Sequence, residues 1–402
     1  MQTRVGITGL GAISAAGVGT ELLWKSAKDG VSKTGPIDLP RGEKLRVKLA
    51  AIVKDFDPEG YLTNSEIKRT DRFAQFAHVA AAEAIKQAGL SSEDIAGPKT
   101  AAIIGSGIGG MNTIDDNSYI FHTGGNRFNP MIIPKAMPSA ASSHISITHE
   151  ITGPSFAVTS ACSSASQSIG MGMQMIRSGL VDRAIVGGSE ACVTPVSMKA
   201  WETMRVLSPD ECRPFSKDRN GLILGEGAGV IVLESEEAIV KRDGKALAWL
   251  SGYGTSSDAK NIIQPDVDGA AMAMQLALDD AALKADDIGY INAHGTGTVL
   301  NDINEAEAIN KVFGAHSNEI PVSSTKSIIG HTLGASGALE FIITSYALLE
   351  NCIPPNINTG EIDPKCNLNL PDHALPMPAK KSALCNTFAF GGVNASLIAT
   401  PV

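Results

Sequence analysis

One cysteine, Cys162, lies in a segment whose composition suits nucleophilic chemistry. The segment VTSACSSASQSIG, residues 158–170, follows an apolar run typical of a strand and continues into small residues typical of a buried helix. The sequence therefore predicts Cys162 at a strand-to-helix turn. Helix N-terminal N–H groups and nearby cations lower the pKa of a thiol from about 8.5, so we expect a partly ionised nucleophile. A cysteine buried only for packing is the alternative interpretation of this segment taken alone.

Two histidines in the second half of the chain could assist such a nucleophile. His294 lies in NAHGTGT, residues 292–298, and His331 lies in KSIIGHT, residues 326–332. Both contexts are rich in Gly and Thr, and both are predicted to lie at strand ends. A reacting thiol needs a proton acceptor and a group that stabilises a developing negative oxygen. A single histidine is more often an ordinary core or surface residue, but two in matching contexts favour catalysis.

Charged residues and a glycine turn complete the candidate groups. The charged set comprises Asp302, Glu305, Lys326 and Glu340. Glu340 falls on an otherwise apolar predicted helix, where a lone carboxylate is costly, so we predict Lys326 as its partner. The turn lies in NTFAFGGVN, residues 386–394, and its exposed N–H groups could complete an oxyanion hole. An ordinary tight turn is the alternative for this last segment.

Composition limits the class of protein in which these residues act. Of 402 residues, 43% are hydrophobic but only 5% aromatic, and 41 are glycine, which favours closely packed α/β layers. A formal net charge of −9 without a sustained Lys/Arg run argues against a nucleic-acid partner. The six cysteines and eight histidines show no metal-ligand spacing, so we predict neither a metal site nor a disulfide framework.

The chain also lacks the sequence features of membrane insertion and export. No run approaches the ~18 apolar residues of a membrane span. The first residues, MQTRVGITGLGAIS, resemble a strand rather than a signal peptide. We therefore expect a cytoplasmic protein with no membrane partner and reduced cysteines.

An internal repeat indicates two related halves. The segment AAAEAIKQAGLSSEDI, residues 80–95, is echoed by MQLALDDAALKADDI, residues 274–288. In both copies a predicted helix leads through a short turn into a strand that ends in glycine-rich sequence. A repeat at this distance favours duplicated α/β halves over a solenoid. We place the seam near residues 234–243 and predict alternating helix and sheet layers, with nearly apolar helices in the interior.

A glycine pattern in the first half resembles a dinucleotide motif. Gly105, Gly107 and Gly110 fit GxGxxG after a predicted strand. The motif is weak without a following helix that binds phosphate at its N-terminus. Because residues 111–130 resemble a loop, we do not favour a nucleotide site.

The motifs ACSSA, NAHGTGT, KSIIGHTLGASGALE and FAFGGVN, in this order and spacing, resemble those of the β-ketoacyl-acyl carrier protein synthase family. The segment RNGLILGEGAG, residues 219–229, is most similar to the synthase II branch. The resemblance covers essentially the whole chain. It implies a duplicated, five-layer αβαβα thiolase fold, with residues 1–240 carrying the nucleophilic cysteine and residues 241–402 carrying both histidines.

The resemblance also implies roles for individual residues. Cys162 would accept the acyl chain, while His294 and His331 decarboxylate the malonyl extender and stabilise the enolate. Lys326 would organise the histidines through Glu340. The remaining roles implied by the resemblance are an oxyanion hole formed by the N–H groups of Cys162 and Phe390, a gate at Phe390, phosphopantetheine contacts from Thr296 and Thr298, an acyl pocket of Ile108, Met131, Ile132 and Trp201, and carrier-protein docking by Lys68, Arg69 and Arg205.

Several positions depart from the family pattern and bear on the acyl chain accepted. Ala389 replaces the first glycine of a gate that usually reads GFGG, and its Cβ is expected to restrict the loop. Asn261 replaces a histidine, and Trp201 replaces an aromatic residue that is usually Phe. Met131 and Ile132 stand where the synthase II pattern often has phenylalanines.

The function implied is a β-ketoacyl-acyl carrier protein synthase that elongates fatty acids by decarboxylative condensation. The alternative is a ketosynthase of a specialised pathway of the polyene, nodulation-factor or polyketide type. The family resemblance implies a homodimer, and a heterodimer with a chain-length-factor subunit is the other possibility. We expect no cofactor apart from the phosphopantetheine of the acyl carrier protein. A non-catalytic subunit is disfavoured by the presence of Cys162, and a thiolase by His331 in place of a second cysteine motif.

Overall fold

A large mixed β-sheet forms the centre of the computed structural model, which describes residues 3–402. The strands of this part of the chain are β1 (Val5–Ser14), β2 (Gly17–Val18), β3 (Gly35–Pro36), β4 (Leu49–Ala50), β5 (Thr100–Gly105), β6 (Ser155–Val158), β7 (Arg183–Glu190), β8 (Gly227–Ser235), β9 (Ala248–Ser257), β10 (Ile288–Asn292), β11 (Val322–Ser323), β12 (Cys352–Ile353), β13 (Leu375–Pro376), β14 (Ser382–Ala389) and β15 (Val393–Thr400).

Helices pack on the outside of the sheet and also between its two sides. They are α1 (Thr20–Lys28), α2 (Asn64–Arg69), α3 (Arg72–Ala88), α4 (Ser92–Ile95), α5 (Met111–His122), α6 (Ile132–Ala136), α7 (Ala140–Thr148), α8 (Ser164–Arg177), α9 (Pro195–Thr203), α10 (Glu236–Lys241), α11 (Val267–Ala281), α12 (Val299–Phe313), α13 (Lys326–Ile329) and α14 (Ser336–Leu349). Short 3-10 turns include Ala161–Ser163, Ala285–Asp287 and Leu333–Ala335. Within residues 3–402, no helix is both long and apolar enough to cross a membrane.

The strand order of the large sheet is β11-β10-β14-β15-β9-β1-β8-β7-β5-β6. Strands from the first 240 residues therefore lie on one side, and later strands lie on the other. The two sides are joined by β1, which pairs antiparallel with β9 from Val5 to Ile7. The strands of the two related halves therefore form one continuous sheet. The predicted boundary between residues 240 and 241 falls within α10.

Helices and strands alternate in five layers. The central helices α8 and α14 contact each other, with α8 packed on β7 and β5 and α14 packed on β14 and β8. On the outside, α3 covers β1 and β8, and α11 covers β9 and β15. Nearly every residue of α14 is buried, as expected for a helix that is apolar on all sides. The predicted αβαβα arrangement is confirmed.

Small residues allow the layers to approach closely. Gly11 on β1 faces α3, and a Cβ at this position would lie 1.9 Å from the carbonyl oxygen of Ala80. The alanine-rich face of α3 can therefore lie directly on the backbone of β1. The helix begins at the N-cap Asp71, which accepts a hydrogen bond from the N–H of Phe73, and ends at Gly89 with a φ of 67°.

The two copies of the repeat fold in the same order of elements. In the first copy, α3 is followed by the single turn α4 and then by β5. In the second, α11 is followed by the 3-10 turn Ala285–Asp287 and then by β10. The chain passes from β5 into the glycine-rich loop that begins at Ser106, and from β10 into the segment that contains His294.

The loop predicted for residues 111–130 is wrong over its first part, because α5 spans Met111–His122. The helix has no side-chain cap from its own sequence. Asp71 supplies the missing partner, since its carboxylate accepts hydrogen bonds from the N–H of Thr113 at 2.7 Å and from the Thr113 hydroxyl at 2.6 Å. This distant partner is invisible to a local pattern. The nearby glycines serve close packing, since a Cβ at Gly105 would lie 2.4 Å from the backbone carbon of Ser164.

Candidate active site

Cys162 lies at a sharp connection between β6 and α8. The 3-10 turn Ala161–Ser163 follows the strand, and α8 begins at Ser164. Ala161 has a φ of 50°, in the left-handed region that L residues rarely adopt. The Ser164 hydroxyl holds this turn, because Oγ accepts from the N–H of Ser160 at 2.9 Å and donates to the carbonyl of Ala161 at 2.7 Å. The thiol is left 6% exposed at the predicted strand-to-helix turn.

Both candidate histidines converge on this thiol. Nε2 of His331 lies 3.1 Å from Sγ of Cys162. The rings of His294 and His331 meet edge to face, with centroids 5.4 Å apart. His294 follows β10, and His331 follows α13. Three segments that are distant in sequence therefore deliver one buried cluster, in which ligand-type atoms of all three side chains lie within 4.8 Å of one another.

The neighbours of the two rings determine where their protons lie. Nδ1 of His331 accepts from the N–H of Leu333 at 3.1 Å, so the ring proton is on Nε2 and points to the sulfur. Nδ1 of His294 lies 3.2 Å from Nζ of Lys326, and an ammonium can only donate. His294 therefore also carries its proton on Nε2. Burial lowers the pKa of both histidines, which keeps them neutral hydrogen-bond donors.

Lys326 and Glu340 form a buried ion pair beside His294. Glu340 lies on α14 and its carboxylate contacts the ammonium of Lys326 directly, with both side chains at most 1% exposed. Burial raises the pKa of Glu340 to about 7, and the charge of Lys326 lowers it in part. The pair predicted from sequence is thus in contact, and Lys326 bridges Glu340 to the ring of His294.

The expected lowering of the Cys162 pKa is wrong. Burial raises the pKa of this thiol to about 12, and the lowering effects of Lys326 and of the N–H groups of Phe390 and Cys162 do not offset it. The sequence shows the helix N-terminus but not the removal of water, which penalises the thiolate more strongly. The resting thiol is therefore neutral at physiological pH. Its proton must leave as a substrate reacts.

Two backbone N–H groups lie near the Cys162 sulfur, one of them from the glycine turn. Those of Phe390 and Cys162 are close enough to the Cys162 sulfur to lower the pKa of its thiol in part. An acyl carbonyl carbon attached to this sulfur would place its oxygen near the same donors. The arrangement suits an oxyanion hole, in which fixed donors stabilise a tetrahedral oxygen.

Phe390 lies in the connection between β14 and β15 and lines the site. Its ring stacks on Trp201 with centroids 5.8 Å apart and an interplanar angle of 19°. Gly391 and Gly392 follow with φ values of 86° and 68°, so both glycines meet a backbone requirement. Ala389, by contrast, is the last residue of β14 and has no positive φ. Its Cβ is accommodated without backbone strain.

A second loop contacts the gate. The N–H of Gly391 donates to the carbonyl of Ile262 at 2.8 Å, and the N–H of Asp258 donates to the carbonyl of Gly392 at 2.8 Å. Asn261 lies in this second loop, where its side-chain oxygen accepts from the N–H of Ile263 at 2.8 Å. Asn261 therefore shapes the loop against which the gate rests.

A cavity of about 1070 Å³ of empty space, including its open end, leads from the surface to the cluster. Cys162, His294, His331 and Phe390 line it together with Trp201, Arg205, Thr296 and Thr298. The predicted phosphopantetheine residues and one docking residue therefore lie on a single path to the thiol. Lys68 and Arg69 lie outside the cavity, exposed on the last turn of α2.

The predicted acyl pocket is not assembled as one cavity. Of its four residues, only Trp201 lines the cavity that reaches Cys162. Ile108 follows β5 and is 40% exposed, whereas Met131 and Ile132 are half-buried at the start of α6. In this conformation the Phe390 and Trp201 rings form a wall of the cavity. The acyl pocket therefore stays a prediction, because its other three residues lie outside this cavity in the conformation observed.

Two family models match the chain. The model "Beta-ketoacyl synthase, N-terminal domain" matches residues 2–238, which include Cys162, and "Beta-ketoacyl synthase, C-terminal domain" matches residues 247–360, which include both histidines. The chain belongs to the β-ketoacyl synthase family. As a condensing enzyme of this family, the synthase is an acyl-transferring enzyme.

The synthase is similar to curated relatives and solved structures over nearly its whole length. It is 43% identical over 399 residues to nodulation protein E of Rhizobium sp. (strain N33), with 99% of each chain covered. It is 37% identical over 404 residues to 3-oxoacyl-[acyl-carrier-protein] synthase 2 of Staphylococcus aureus (strain N315), covering 98% of this chain and 97% of that protein. The structure titled "The ishigamide ketosynthase/chain length factor" matches with a TM-score of 0.95 and 34% identity over 100% of both chains.

Metal binding is a second use to consider for the Cys-His-His cluster of the synthase. The three side chains are close enough together to ligate a metal ion. Metal ligation requires a free ring lone pair, however, and the Nε2 atoms of both histidines carry protons for the reasons given above. The cluster fits two hydrogen-bond donors and a thiol better than it fits a metal site.

One contributor to the site was missed by the sequence analysis. The buried hydroxyl of Ser163 lies 3.0 Å from the carbonyl oxygen of Thr387 and 2.7 Å from that of Val393. The residue next to the nucleophile therefore ties together the two strands that flank the gate. Its small polar side chain was visible in ACSSA, but its partners lie more than 200 residues away.

Asp302 and Glu305 support the segment that carries His294. Glu305 accepts from the N–H groups of His294 at 2.8 Å and Gly295 at 2.7 Å, and burial raises its pKa to about 7. Asp302 accepts from the N–H groups of Gly297 at 3.2 Å and Phe215 at 2.8 Å. Both carboxylates therefore position backbone and do not line the cavity to the thiol.

Proposed function

We propose that this synthase catalyses a synthase II-type condensation, in which an acyl chain held on Cys162 is elongated by malonyl-acyl carrier protein. The observation that carries the proposal is the convergence of one buried thiol and two neutral imidazole donors on the cavity that opens to the surface. The products are a β-ketoacyl carrier protein and CO₂. The free carrier protein is released in the preceding acyl transfer.

In the first half-reaction, the sulfur of Cys162 attacks the carbonyl carbon of an acyl thioester. The N–H groups of Cys162 and Phe390 stabilise the negative oxygen that forms. The bond to the pantetheine sulfur then breaks, and the thiol proton of Cys162 ends on that departing sulfur. Because the resting thiol is neutral, this proton is supplied by the enzyme itself and no external base is consumed.

In the second half-reaction, the thioester oxygen of a malonyl group accepts hydrogen bonds from Nε2 of His294 and His331. Breaking the bond to the carboxylate releases CO₂ and leaves its electron pair on the α-carbon as an enolate. That carbon attacks the acyl group on Cys162, and the sulfur leaves as a thiolate that takes up a proton from water to restore the neutral thiol. Neutral donors suit this step, because charge develops on the oxygen without proton transfer.

Carrier-bound substrates explain the remaining features of the cavity. Thr296 and Thr298 lie along its wall and can hydrogen bond a phosphopantetheine arm. We propose that Arg205 at the mouth, with Lys68 and Arg69 on α2, attracts the acidic surface of a carrier protein to a chain whose own net charge is −9. The reaction requires no further cofactor, since each substrate arrives as a thioester.

The same chemistry serves fatty-acid elongation and specialised pathways. Identity is higher to a nodulation protein, at 43%, than to a synthase 2, at 37%. Trp201, where Phe is usual, also reshapes the wall beside the gate. These observations favour a specialised acyl substrate over the common saturated chain. Both versions share every catalytic residue.

An assay with carrier-bound substrates tests the proposal. The purified protein is incubated with malonyl-carrier protein and acyl-carrier proteins of increasing length, saturated and polyunsaturated, with Cys162→Ala as the inactive control. Cysteine-dependent formation of a β-ketoacyl carrier protein is expected. Absence of product with every acyl chain, in a protein that is folded, would rule out the proposed reaction.

The subunit arrangement is a separate proposal. We propose a homodimer, because this chain has its own Cys162 and does not need a second subunit for the nucleophile. The ishigamide structure pairs a ketosynthase with a chain length factor, which makes a heterodimer the second candidate. Activity of the protein purified alone, at the mass of a dimer, is the expected result. Activity that appears only after co-expression with a second chain would favour the heterodimer.

A further inference from the structure

Glu190 is a buried carboxylate at the end of β7 that neither the sequence analysis nor the proposed mechanism uses. It is 0% exposed. Five donors surround it: the N–H groups of Gly107 (2.6 Å), Ile108 (3.4 Å) and Gly334 (3.0 Å), the hydroxyl of Ser106 (3.1 Å) and the thiol of Cys192 (3.1 Å). A buried carboxylate with this many donors is strongly held in place.

The donors come from two loops that belong to opposite halves of the chain. Gly107 follows β5, whereas Gly334 follows the catalytic His331. A Cβ at Gly334 would lie 2.3 Å from the nitrogen of Gly107 and 2.6 Å from the carboxylate of Glu190. The loops are therefore in backbone contact, and Glu190 accepts one N–H from each of them on the same oxygen.

The loop after His331 contains a strained residue. Leu333 has a φ of 48°, which is unfavourable for a leucine. Its N–H can only donate to Nδ1 of His331 and thereby keeps the ring proton on Nε2, whereas the Ser336 hydroxyl, 2.9 Å from Nδ1, can donate or accept and fits either tautomer. The next N–H along the chain, that of Gly334, is the one bound by Glu190. The carboxylate thus holds the residue that follows the strained one, and the strain persists because its surroundings fix it.

We propose that Glu190 is a positioning residue that locks the hydrogen-bond-donating tautomer of His331 by anchoring Gly334. It acts through Leu333 and does not touch the substrate. Its further contacts with Ser106, Gly107 and Ile108 connect the loop after His331 to the start of the loop that follows β5. The inference rests on the proposed function for the reaction that His331 serves, but the tautomer is a property of the protein alone.

The variant Glu190→Gln tests this role with little change in shape. An amide offers one acceptor oxygen where the carboxylate had two, so it cannot accept at once from the N–H groups of Gly107 and Gly334 on one oxygen and from that of Ile108 on the other. The ring nitrogens of ¹⁵N-histidine-labelled protein report the tautomer by NMR, and the His331 signals are assigned by their loss in His331→Ala. We expect a single Nε2–H tautomer in the wild type and a mixture with Nδ1–H in Glu190→Gln.

Kinetics provide the second readout. A misplaced His331 should lower the kcat of condensation by about tenfold to a hundredfold, with KM for the carrier-bound substrates within about twofold of wild type. Cys192→Ala is the matched control, because it removes a donor to Glu190 that belongs to neither loop. This control should keep both the wild-type tautomer and the wild-type kcat.

Three results would overturn the proposal. The first is a folded Glu190→Gln protein with an unchanged tautomer and kcat, and the second is a wild-type His331 that carries its proton on Nδ1 at neutral pH. If Glu190→Gln does not fold, Glu190→Asp keeps the charge but reaches less far, and an unchanged tautomer in that variant is the third. Failure of the enzyme to condense carrier-bound substrates would instead contradict the proposed function and leave the tautomer comparison intact.

Discussion

At the scale of single residues, the site depends on groups that are kept neutral by burial. The pKa values of His294 and His331 are lowered, and that of Cys162 is raised to about 12. The cluster therefore holds no thiolate and imidazolium pair of the kind found in cysteine proteases. Its histidines donate hydrogen bonds to developing charge and do not begin the reaction as charged acids.

Substitution of the nucleophile should separate the two half-reactions. Cys162→Ala is expected to reduce condensation to below about one part in 10⁴, because no acyl enzyme forms. Cys162→Gln should retain malonyl decarboxylation, since both histidine donors remain. Release of CO₂ from malonyl-carrier protein, measured beside condensation, checks both expectations. Normal condensation by Cys162→Ala would contradict the assigned nucleophile.

Each histidine should be needed for the release of CO₂. His294→Ala and His331→Ala both remove a donor to the enolate oxygen, and loss of one such donor costs about 10² to 10³ in rate. Acylation of Cys162 by an acyl-carrier protein, followed by mass spectrometry, serves as the control for folding. Decarboxylation at the wild-type rate in either variant would show that its donor is not used.

The pH dependence of condensation should depend on Glu340. Its pKa is raised to about 7, so it is ionised above that pH and becomes neutral as the pH falls through 7. The buried ammonium of Lys326 then loses its partner, and His294 loses a fixed donor at Nδ1. We expect kcat to fall about tenfold per pH unit on the acid side of the profile.

Two variants identify the group responsible for this fall in kcat at low pH, the acid limb of the profile. Glu340→Gln should remove the limb and give a low, flat profile between about pH 5.5 and about pH 8.5, a range that extends about 1.5 units to each side of the shifted pKa. The pKa of Glu305 is also raised to about 7, so Glu305→Gln is the matched control. An acid limb that persists in Glu340→Gln and disappears in Glu305→Gln would reverse the assignment.

At the scale of elements, the two ends of the proposed gate between β14 and β15 are fixed by Ser163. Ser163 holds the carbonyls of Thr387 and Val393, so the strands on both sides of the gate are tied to the turn that carries the nucleophile. Any movement of the proposed gate would thereby be confined to the connection that contains Phe390. Opening of the gate can leave the position of the sulfur unchanged.

The backbone conformations in the gate predict opposite effects for two substitutions. Gly391 has a φ of 86°, so Gly391→Ala should cost about 1–2 kcal/mol in the free energy of unfolding and slow acylation by long chains. Ala389→Gly should cost only about 0.5–1 kcal/mol and should speed the opening of the gate. Chemical denaturation and single-turnover acylation measure both effects. Equal losses in the two variants would contradict the distinction.

The stack of Trp201 on Phe390 predicts how the gate selects its substrate. Trp201→Ala removes a ring pair worth roughly 0.5–1.5 kcal/mol, so the open gate should become about twofold to tenfold more populated. Acylation by long or bulky chains should accelerate by a similar factor, while that by short chains changes little. Trp201→Phe preserves a stack and should behave like the wild type. An identical chain-length profile in Trp201→Ala would exclude this role.

The sequence predicted the parts of the site that depend on short stretches of chain. The turn at Cys162 and the apolar helix α14 with Glu340 were visible from local patterns. Burial of a lone carboxylate indicated its partner Lys326, because a buried charge must be compensated. The five-layer fold followed from the repeat and from the family resemblance.

Other features depend on contacts that no local pattern contains. Helix α5 was predicted as a loop, since the partner of its N-terminus is Asp71 on another element. The pKa of Cys162 was predicted in the wrong direction, because burial outweighs the helix N-terminus. In each case, tertiary packing decided the outcome.

At the scale of the whole molecule, the net charge is negative, but a few exposed residues are basic. The chain carries −9 overall, yet Lys68, Arg69 and Arg205 are exposed. Lys68→Glu combined with Arg69→Glu should raise KM for carrier-bound substrates about tenfold at low ionic strength. The effect should shrink in salt, which screens exposed charges.

A small thioester and a distant charge provide the controls for this docking surface. Acyl-pantetheine, which has no carrier protein, should react equally well with the wild type and the double variant. Lys241→Glu on α10 changes the net charge by the same amount per residue and should leave KM unchanged. A uniform rise of KM with both substrates would show that the double variant damages the site itself.

The position of β1 in the sheet has a consequence for synthesis on the ribosome. This strand emerges well before its long neighbours β8 and β9, which begin at Gly227 and Ala248. Until then, both edges of β1 lack the partners that they have in the finished sheet, and unpaired strands invite association with other chains. Nascent chains that stop before Gly227 should therefore aggregate or recruit chaperones, whereas release of the full chain allows β1 to close the sheet.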